Sequence, residues 1–245
     1  MDDIEIFVPS RNRSKIGTTW GIIPPSMLTL VVHQSEVQDY SHIPFRRVVT
    51  HTVYKSAGTR NHVLNSVAKG KWLLSLDDDI DSVGMFRPRS DGKLDTVRMS
   101  GVDWLRTLFS FIHLAASSGA YLVGVAPTTN PLFALKHRVA RDVFINGPCY
   151  AVRVSDIRFD ESLPVKCDYD FTLHHMSKGL KVMRADYLWQ RNDYGKKPGG
   201  RMMYSTPDDS GDAIHMLSKK WPGMFRLNTR RPGEIILLKR TATKL

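Results

Sequence analysis

The chain has 245 residues, 42% apolar and 24% charged, which suffices for a sizeable core and excludes wholesale disorder. Its net charge of +11 is lopsided: residues 178–245 carry 15 Lys and Arg against 6 Asp and Glu, and the first 177 residues carry 20 against 18. The two cysteines, Cys149 and Cys167, lack metal-ligand spacing, the start Met1-Asp2-Asp3 is acidic, and the apolar run over 102–125 is broken by Asp103, Arg106 and His113. These features argue against a disulfide scaffold, a secretory signal and a membrane span, and for a soluble cytoplasmic protein.

Strand-like runs alternate with helix-like ones, the pattern of an α/β sheet. Residues 4–9 read as a first strand and lead into the polar turn Ser10-Arg11-Asn12-Arg13. Strands over 27–33 and 46–50 follow, the former announced by Pro24-Pro25. Val63, Leu64, Val67 and Ala68 form the stripe of a helix over 58–69, with Gly70 as its stop. Residues 72–76 are almost wholly apolar, as in a strand covered on both faces, and run into Asp77-Asp78-Asp79. Ser100 and Asp103 have capping-box spacing, opening a helix with Val102, Leu105, Leu108, Phe109 and Ile112 on one face. Strands over 121–126 and 143–154, the latter around Gly147-Pro148, precede a helix over 168–178, a Gly179 stop and a strand over 180–189. Residues 192–207 are rich in glycine and basic residues without periodicity, and a short helix over 210–221 and a strand over 234–238 close the chain. The expected organisation is a core over 1–190 and a basic segment over 191–245 within the same domain.

In open α/β sheets, ligands bind beyond the carboxyl ends of the strands, where the three aspartates fall. An extended segment alternates its side chains, so Asp77 and Asp79 are expected on one face, where two carboxylates repel unless a cation lies beside them. Mg²⁺ or Mn²⁺ fits that chemistry, completing its shell with phosphate oxygens and stabilising a diphosphate leaving group. A solvated Asp-rich turn is the plainer alternative. Arg11, Arg13 and Arg60 lie in polar turns beside strand ends, and their planar guanidiniums suit phosphates. In the loop over 190–201, glycines allow close backbone approach, Lys196, Lys197 and Arg201 supply charge, and Tyr194 supplies a ring for stacking. That loop is expected to act on a diphosphate or an acceptor. Glu36, Gln38 and Asp39 read as a solvated loop, and His174 and His175 as packed or surface side chains rather than metal ligands.

Three segments together resemble family 2 GT-A glycosyltransferases. They are Ile6-Phe7-Val8-Pro9-Ser10-Arg11-Asn12; Gly58-Thr59-Arg60-Asn61 followed by a Gly-ended helix, a strand and Asp77-Asp78-Asp79; and Phe159-Asp160-Glu161 followed by Cys167-Asp168-Tyr169-Asp170-Phe171. The resemblance spans roughly residues 4–190 and implies an α/β fold of GT-A type, with a central mixed, mostly parallel sheet flanked by helices. It implies a metal at Asp77 and Asp79, donor contacts at Pro9, Arg11, Arg13, Arg60 and Asp78, and a nucleotide-sugar donor, UDP being the family default. The family's acidic segment carries the general base of inverting members, here Asp168 or Asp170; Cys167 stands where the family usually has Glu. The plainer role for Asp168 is a helix cap.

The basic, Gly-rich tail resembles the phage-encoded TET-associated glycosyltransferases, which implies hydroxymethylated pyrimidines in DNA as the acceptor. A polysaccharide or protein acceptor is the alternative. A nucleotidyltransferase, a metal-dependent nuclease and a DNA-binding module are competing classes, the last unsupported by any helix-turn-helix or zinc pattern.

Overall fold

The computed structural model describes residues 4–131, 139–192, 206, 208–230 and 233–238. Strands β1 (Glu5–Ser10), β2 (Leu28–His33) and β3 (Arg47–His51) pair in parallel, and β4 (Trp72–Leu76) joins the other side of β1, also in parallel. A hairpin of β5 (Ile80–Pro88) and β6 (Leu94–Arg98) forms the far edge of the sheet. Between these regions lie β7 (Ala120–Ala126), β9 (Cys149–Arg153) and β10 (Lys181–Asn192), and β8 (Val139–Arg141) adds to β10. The order is β3-β2-β1-β4-β9-β7-β10-β5-β6, with β9 antiparallel to both neighbours and β10 parallel to β7. A separate hairpin pairs β11 (Phe225–Leu227) with β12 (Ile235–Leu237). This mixed sheet, mostly of strands running the same way and flanked by helices, is the architecture expected from the sequence.

The sheet buries both faces because its strands alternate large apolar side chains. On one face Ile6 and Val8 of β1 and Leu74 and Leu76 of β4 meet Trp104, Leu105, Leu108 and Ile112 of α3 (Gly101–Ser117). On the other, Phe7 and Leu73 meet Val63 and Leu64 of α2 (Ser56–Asn65) and Phe171 and Met176 of α4 (Cys167–Ser177). Each such side chain contributes ~1.5–3 kcal/mol by leaving water. Ser100 caps α3 as expected, its Oγ accepting from Asp103 N at 3.1 Å. Helix α5 (Asp209–Lys220) packs Ala213 and Leu217 against Leu163, Val165 and Ile235. Among the described residues no helix is long and apolar enough to cross a membrane, and both cysteines are free.

The structure corrects three boundaries. Residues 77–99, read as having no element, hold the β5–β6 hairpin; Asp81, Ser82 and Gly84 masked the strand. Gly84 is there because a Cβ would lie 2.1 Å from the Val97 carbonyl oxygen and 2.3 Å from the Trp189 ring. Helix α2 stops at Asn65, short of Gly70, where Ser66 Oγ donates to the Val63 carbonyl at 2.8 Å. The strand expected over 143–154 is confined to 149–153, and the irregular stretch before it carries part of the site described next.

Candidate active site

A cleft of about 360 Å³ opens at the carboxyl ends of β1 and β4, walled opposite by residues 146–148 and 163–168. Its floor begins with the last residue of β1: Ser10 Oγ donates to Asp78 Oδ2 at 2.6 Å and lies 2.7 Å from the Tyr40 hydroxyl. The turn that follows places Asn12 in the left-handed region, φ 53°, which Asn tolerates better than most residues. It swings Arg13 back so that its backbone N–H donates to Tyr40 Oη at 3.0 Å. The Arg13 guanidinium then bridges Asp78 Oδ1 at 2.6 Å and Asp79 Oδ2 at 3.1 Å.

The expected alternation of the aspartates does not hold. Residues 77–79 lie past the end of β4 in a turn, so period-2 geometry no longer applies. Thr19 shapes that turn: its Oγ1 donates to the Asp77 carbonyl at 2.6 Å and accepts from Ile80 N at 3.0 Å. The pair sharing a partner is therefore Asp78 and Asp79, both buried on Arg13, and Asp79 Oδ1 also accepts from Asn192 Nδ2 at 2.6 Å. Asp77 faces Arg60 instead, 3.4 Å away, and its side chain is 30% exposed. All three line the cleft. Burial pushes the Asp77 carboxyl up to about 7, Arg60 opposing and Asp79 and Asp78 adding to the shift. Burial raises Asp78 too, against Arg13. Burial also works against the charge on Arg13, but Asp78 and Asp79 outweigh it and hold its pKa above the usual value.

The opposite wall is built around Gly147 and the start of α4. The residue before α4, Lys166, is left-handed at φ 61°, so Asp168 falls inside the first turn and is not the cap of its helix. Asp168 Oδ2 accepts from Gly147 N at 3.1 Å and Oδ1 from Tyr169 N at 3.0 Å, which fixes the carboxylate at the edge of the cleft. Gly147 leaves room for both: a Cβ there would come within 2.7 Å of Arg60 Nη1 and 3.2 Å of Asp168 Oδ2, so the guanidinium would have to move. Arg60 joins the two walls, donating to the Gly147 carbonyl at 3.3 Å as well as facing Asp77, with Tyr150 and Phe159 rings beside its guanidinium. Cys167 lies 4.0 Å from Arg60, but burial outweighs that cation and pushes the thiol up to about 11, so it stays protonated near neutrality.

Other residues singled out from the sequence divide. Pro9, Arg11, Arg13, Arg60 and Asp78 all line the cleft. Asp170 does not: it is fully buried and accepts from Trp221 Nε1 at 2.7 Å and Lys220 Nζ at 2.9 Å, an anchor for the end of α5. Glu36 is not solvated as expected; it is buried, 2.6 Å from Arg11 Nε, and accepts from Asn12 N at 2.6 Å. Gln38 and Asp39 are exposed, and His175 is packed. Tyr194, Lys196, Lys197 and Arg201 lie outside the described residues. Sequence reasoning missed Ser10, Tyr40, Gly147 and Asn192 as supports. Ser10 and Asn192 each end a strand at the cleft, a position that identifies them once the sheet is drawn.

No protein-family model matches the chain, and no curated protein does. Among solved structures it is similar to CMP:2-keto-3-deoxy-manno-octonic acid synthetase complexed with CTP, at 13% identity and TM-score 0.46 over 89% of this chain and 100% of that one. It is similar to 4-diphosphocytidyl-2C-methyl-D-erythritolsynthase from Anaerococcus prevotii, at 10% identity and TM-score 0.41 over 87% and 96%. A third, mannose-1-phosphate geranyltransferase from Thermus thermophilus, is 16% identical with TM-score 0.31 over 75% of this chain and 58% of its own. None of the three is described as a glycosyltransferase, so the resemblance to family 2 rests on the sequence segments. At these scores the likenesses decide neither reaction nor substrate.

Proposed function

We propose that the chain is a metal-dependent glycosyltransferase moving a sugar from a nucleotide-sugar donor, a UDP-sugar by family resemblance, to an acceptor hydroxyl. The observation that carries this reading is Asp168: a partly exposed carboxylate, aimed by two backbone N–H groups, in the same cleft as the crowded aspartates. A hydroxyl acceptor needs a base in that position, and a phosphate nucleophile does not.

The donor set fits a hard divalent ion. Three carboxylates crowd the turn against two guanidiniums, and the charges of Asp79 and Asp78 add to the burial that raises Asp77. Among the described residues no three His, Cys, Asp or Glu side chains converge as a complete cage. Mg²⁺ or Mn²⁺ would thus be held by Asp77 and Asp79, with phosphate oxygens and water completing the shell. When bound, it supplies positive charge to the departing diphosphate. Asp168 takes the proton of the acceptor hydroxyl as its oxygen bonds to the anomeric carbon. The bond from that carbon to the diphosphate breaks, and nucleoside diphosphate leaves. Arg60 keeps the two walls in register. A single displacement of this kind inverts the anomeric centre.

For the acceptor we favour a hydroxymethylated pyrimidine in DNA, supported by the basic surplus over 178–245. Such a surface binds phosphates with strong salt dependence, and a duplex base would have to flip out to present its hydroxyl. The test is nucleoside diphosphate release from a pool of nucleotide sugars with Mn²⁺, with and without hydroxymethylated duplex DNA, wild type beside Asp79→Asn. DNA-dependent release that the variant lacks is the expected result. Release independent of DNA keeps the reaction and discards that acceptor. Pyrophosphate in place of diphosphate would establish nucleotidyl transfer, and nicked DNA a nuclease.

A further inference from the structure

At the end of the cleft away from Asp168, polar atoms without partners cluster beneath an aromatic ring. His51 closes β3 at the edge of the cleft, is 5% exposed, and its Nε2 has no hydrogen-bond partner among the described residues. Its Nδ1 accepts from Val53 N at 3.1 Å, so the hydrogen of the neutral ring sits on Nε2 and that atom is a donor. Arg11 Nη1, also buried, is a second donor with no hydrogen-bond partner there, its guanidinium held in place by Glu36 through Nε. Tyr54 covers this corner from the irregular stretch between β3 and α2. It lies 5.1 Å from the Arg11 guanidinium and 4.9 Å from the His33 ring, yet is 64% exposed. A folded protein rarely leaves buried donors unmatched. Here they lie beside the space a nucleotide would fill.

We propose that His51 and Arg11 read the nucleobase of the donor, as paired hydrogen-bond donors for the carbonyl oxygens of uracil, with Tyr54 as the ring that stacks on it. This assignment rests on the nucleotide-using reading of the cleft. Uracil carries two carbonyl acceptors, whereas adenine and cytosine each place an exocyclic amine, itself a donor, beside a ring nitrogen. Adenine therefore meets donor with donor. Burial, with His62, His33 and Arg11 adding to it, holds the His51 pKa down at about 4, so the ring is neutral and keeps a single N–H at working pH.

The test measures dissociation constants of UDP, CDP and ADP by calorimetry at pH 7.5 with Mn²⁺, for wild type, His51→Asn and His51→Gln. Asn keeps an acceptor for Val53 N but loses the distal donor; Gln keeps a distal N–H. Wild type and His51→Gln should bind UDP about tenfold tighter than CDP or ADP, and His51→Asn should bring the three within about threefold with ADP unchanged. Discrimination intact in His51→Asn, or lost in His51→Gln and kept in His51→Asn, would overturn the assignment and make His51 a support for the Val53 turn. Tight binding without base preference would also overturn it while leaving the nucleotide reading intact. No diphosphate bound by any of the proteins would remove both.

Discussion

Two faces of one helix turn show how little the residue type says about the role. Asp168 and Asp170 stand two residues apart in the first turn of α4, a spacing that sends them to different sides. Asp168 meets two backbone N–H groups at the cleft and keeps open acceptor capacity, whereas Asp170 is sealed from water against Lys220, the last residue of α5, and Trp221 just after it. The aspartates after β4 all line the cleft but differ in what holds them: Asp78 and Asp79 share Arg13, and Asp77 faces Arg60. A carboxylate is available for chemistry where it borders the cleft, and structural where packing shuts it away from the cleft.

The largest effect that would break this comparison is on turnover. Asp168→Asn should lower kcat by about 10²–10⁴-fold, the range for loss of a general base, with thermal stability and diphosphate binding unchanged. A parallel drop in Tm would place Asp168 among the structural carboxylates. The mirror experiment is Asp170→Ala. It removes the acceptor shared by the Trp221 indole and Lys220, although Lys220 keeps Asp160 at 2.6 Å. Unfolding free energy should fall by about 2 kcal/mol, and Tm by ~5 °C for a chain of this size, with kcat per folded molecule retained. Loss of activity without loss of stability would reverse the two roles.

The sequence carried the parallel half of this architecture well. Strands β1, β2 and β4 are short apolar runs bounded by turn residues, and α3 has a regular stripe behind a capping box. Less legible was everything whose residues answer to tertiary neighbours. Gly84 looks like a break in a strand until the Val97 carbonyl and Trp189 are placed against it. Gly147-Pro148 reads as the middle of a strand, but its value is the space it leaves for Arg60 and Asp168. Glu36 looks solvated because its partners lie far off in the chain, Asn12 being 24 positions before it and Arg11 one residue further. Period-2 reasoning failed at Asp77-Asp78-Asp79 because the strand ends one residue before them.

The smallest expected effect comes from the core side of the same helix. His175 is fully buried, its Nδ1–H donates to the Phe171 carbonyl at 2.8 Å, and its Nε2 has no partner among the described residues. Burial, opposed by that hydrogen bond and reinforced by His174, holds its pKa down at about 4 against an ordinary value of 6.5. The sign follows from where the proton goes. Above 6.5 both folded and unfolded chains carry a neutral ring, and its full contribution to stability is present. As pH falls below 6.5 the unfolded chain binds a proton that the folded one refuses, so stability declines until the folded ring titrates near 4. Between pH 7 and 5.5 this one ring should cost about 1 kcal/mol. His51, lowered in the same direction, adds a slope of the same sign, so the useful quantity is a difference. Urea unfolding of wild type and His175→Gln at both pH values isolates it: the variant, which cannot titrate there, should lose about 1 kcal/mol less over the interval. Equal losses would mean that His175 takes up its proton in the folded state as readily as in the unfolded one, and that the inner face of α4 is more open to water than its packing implies.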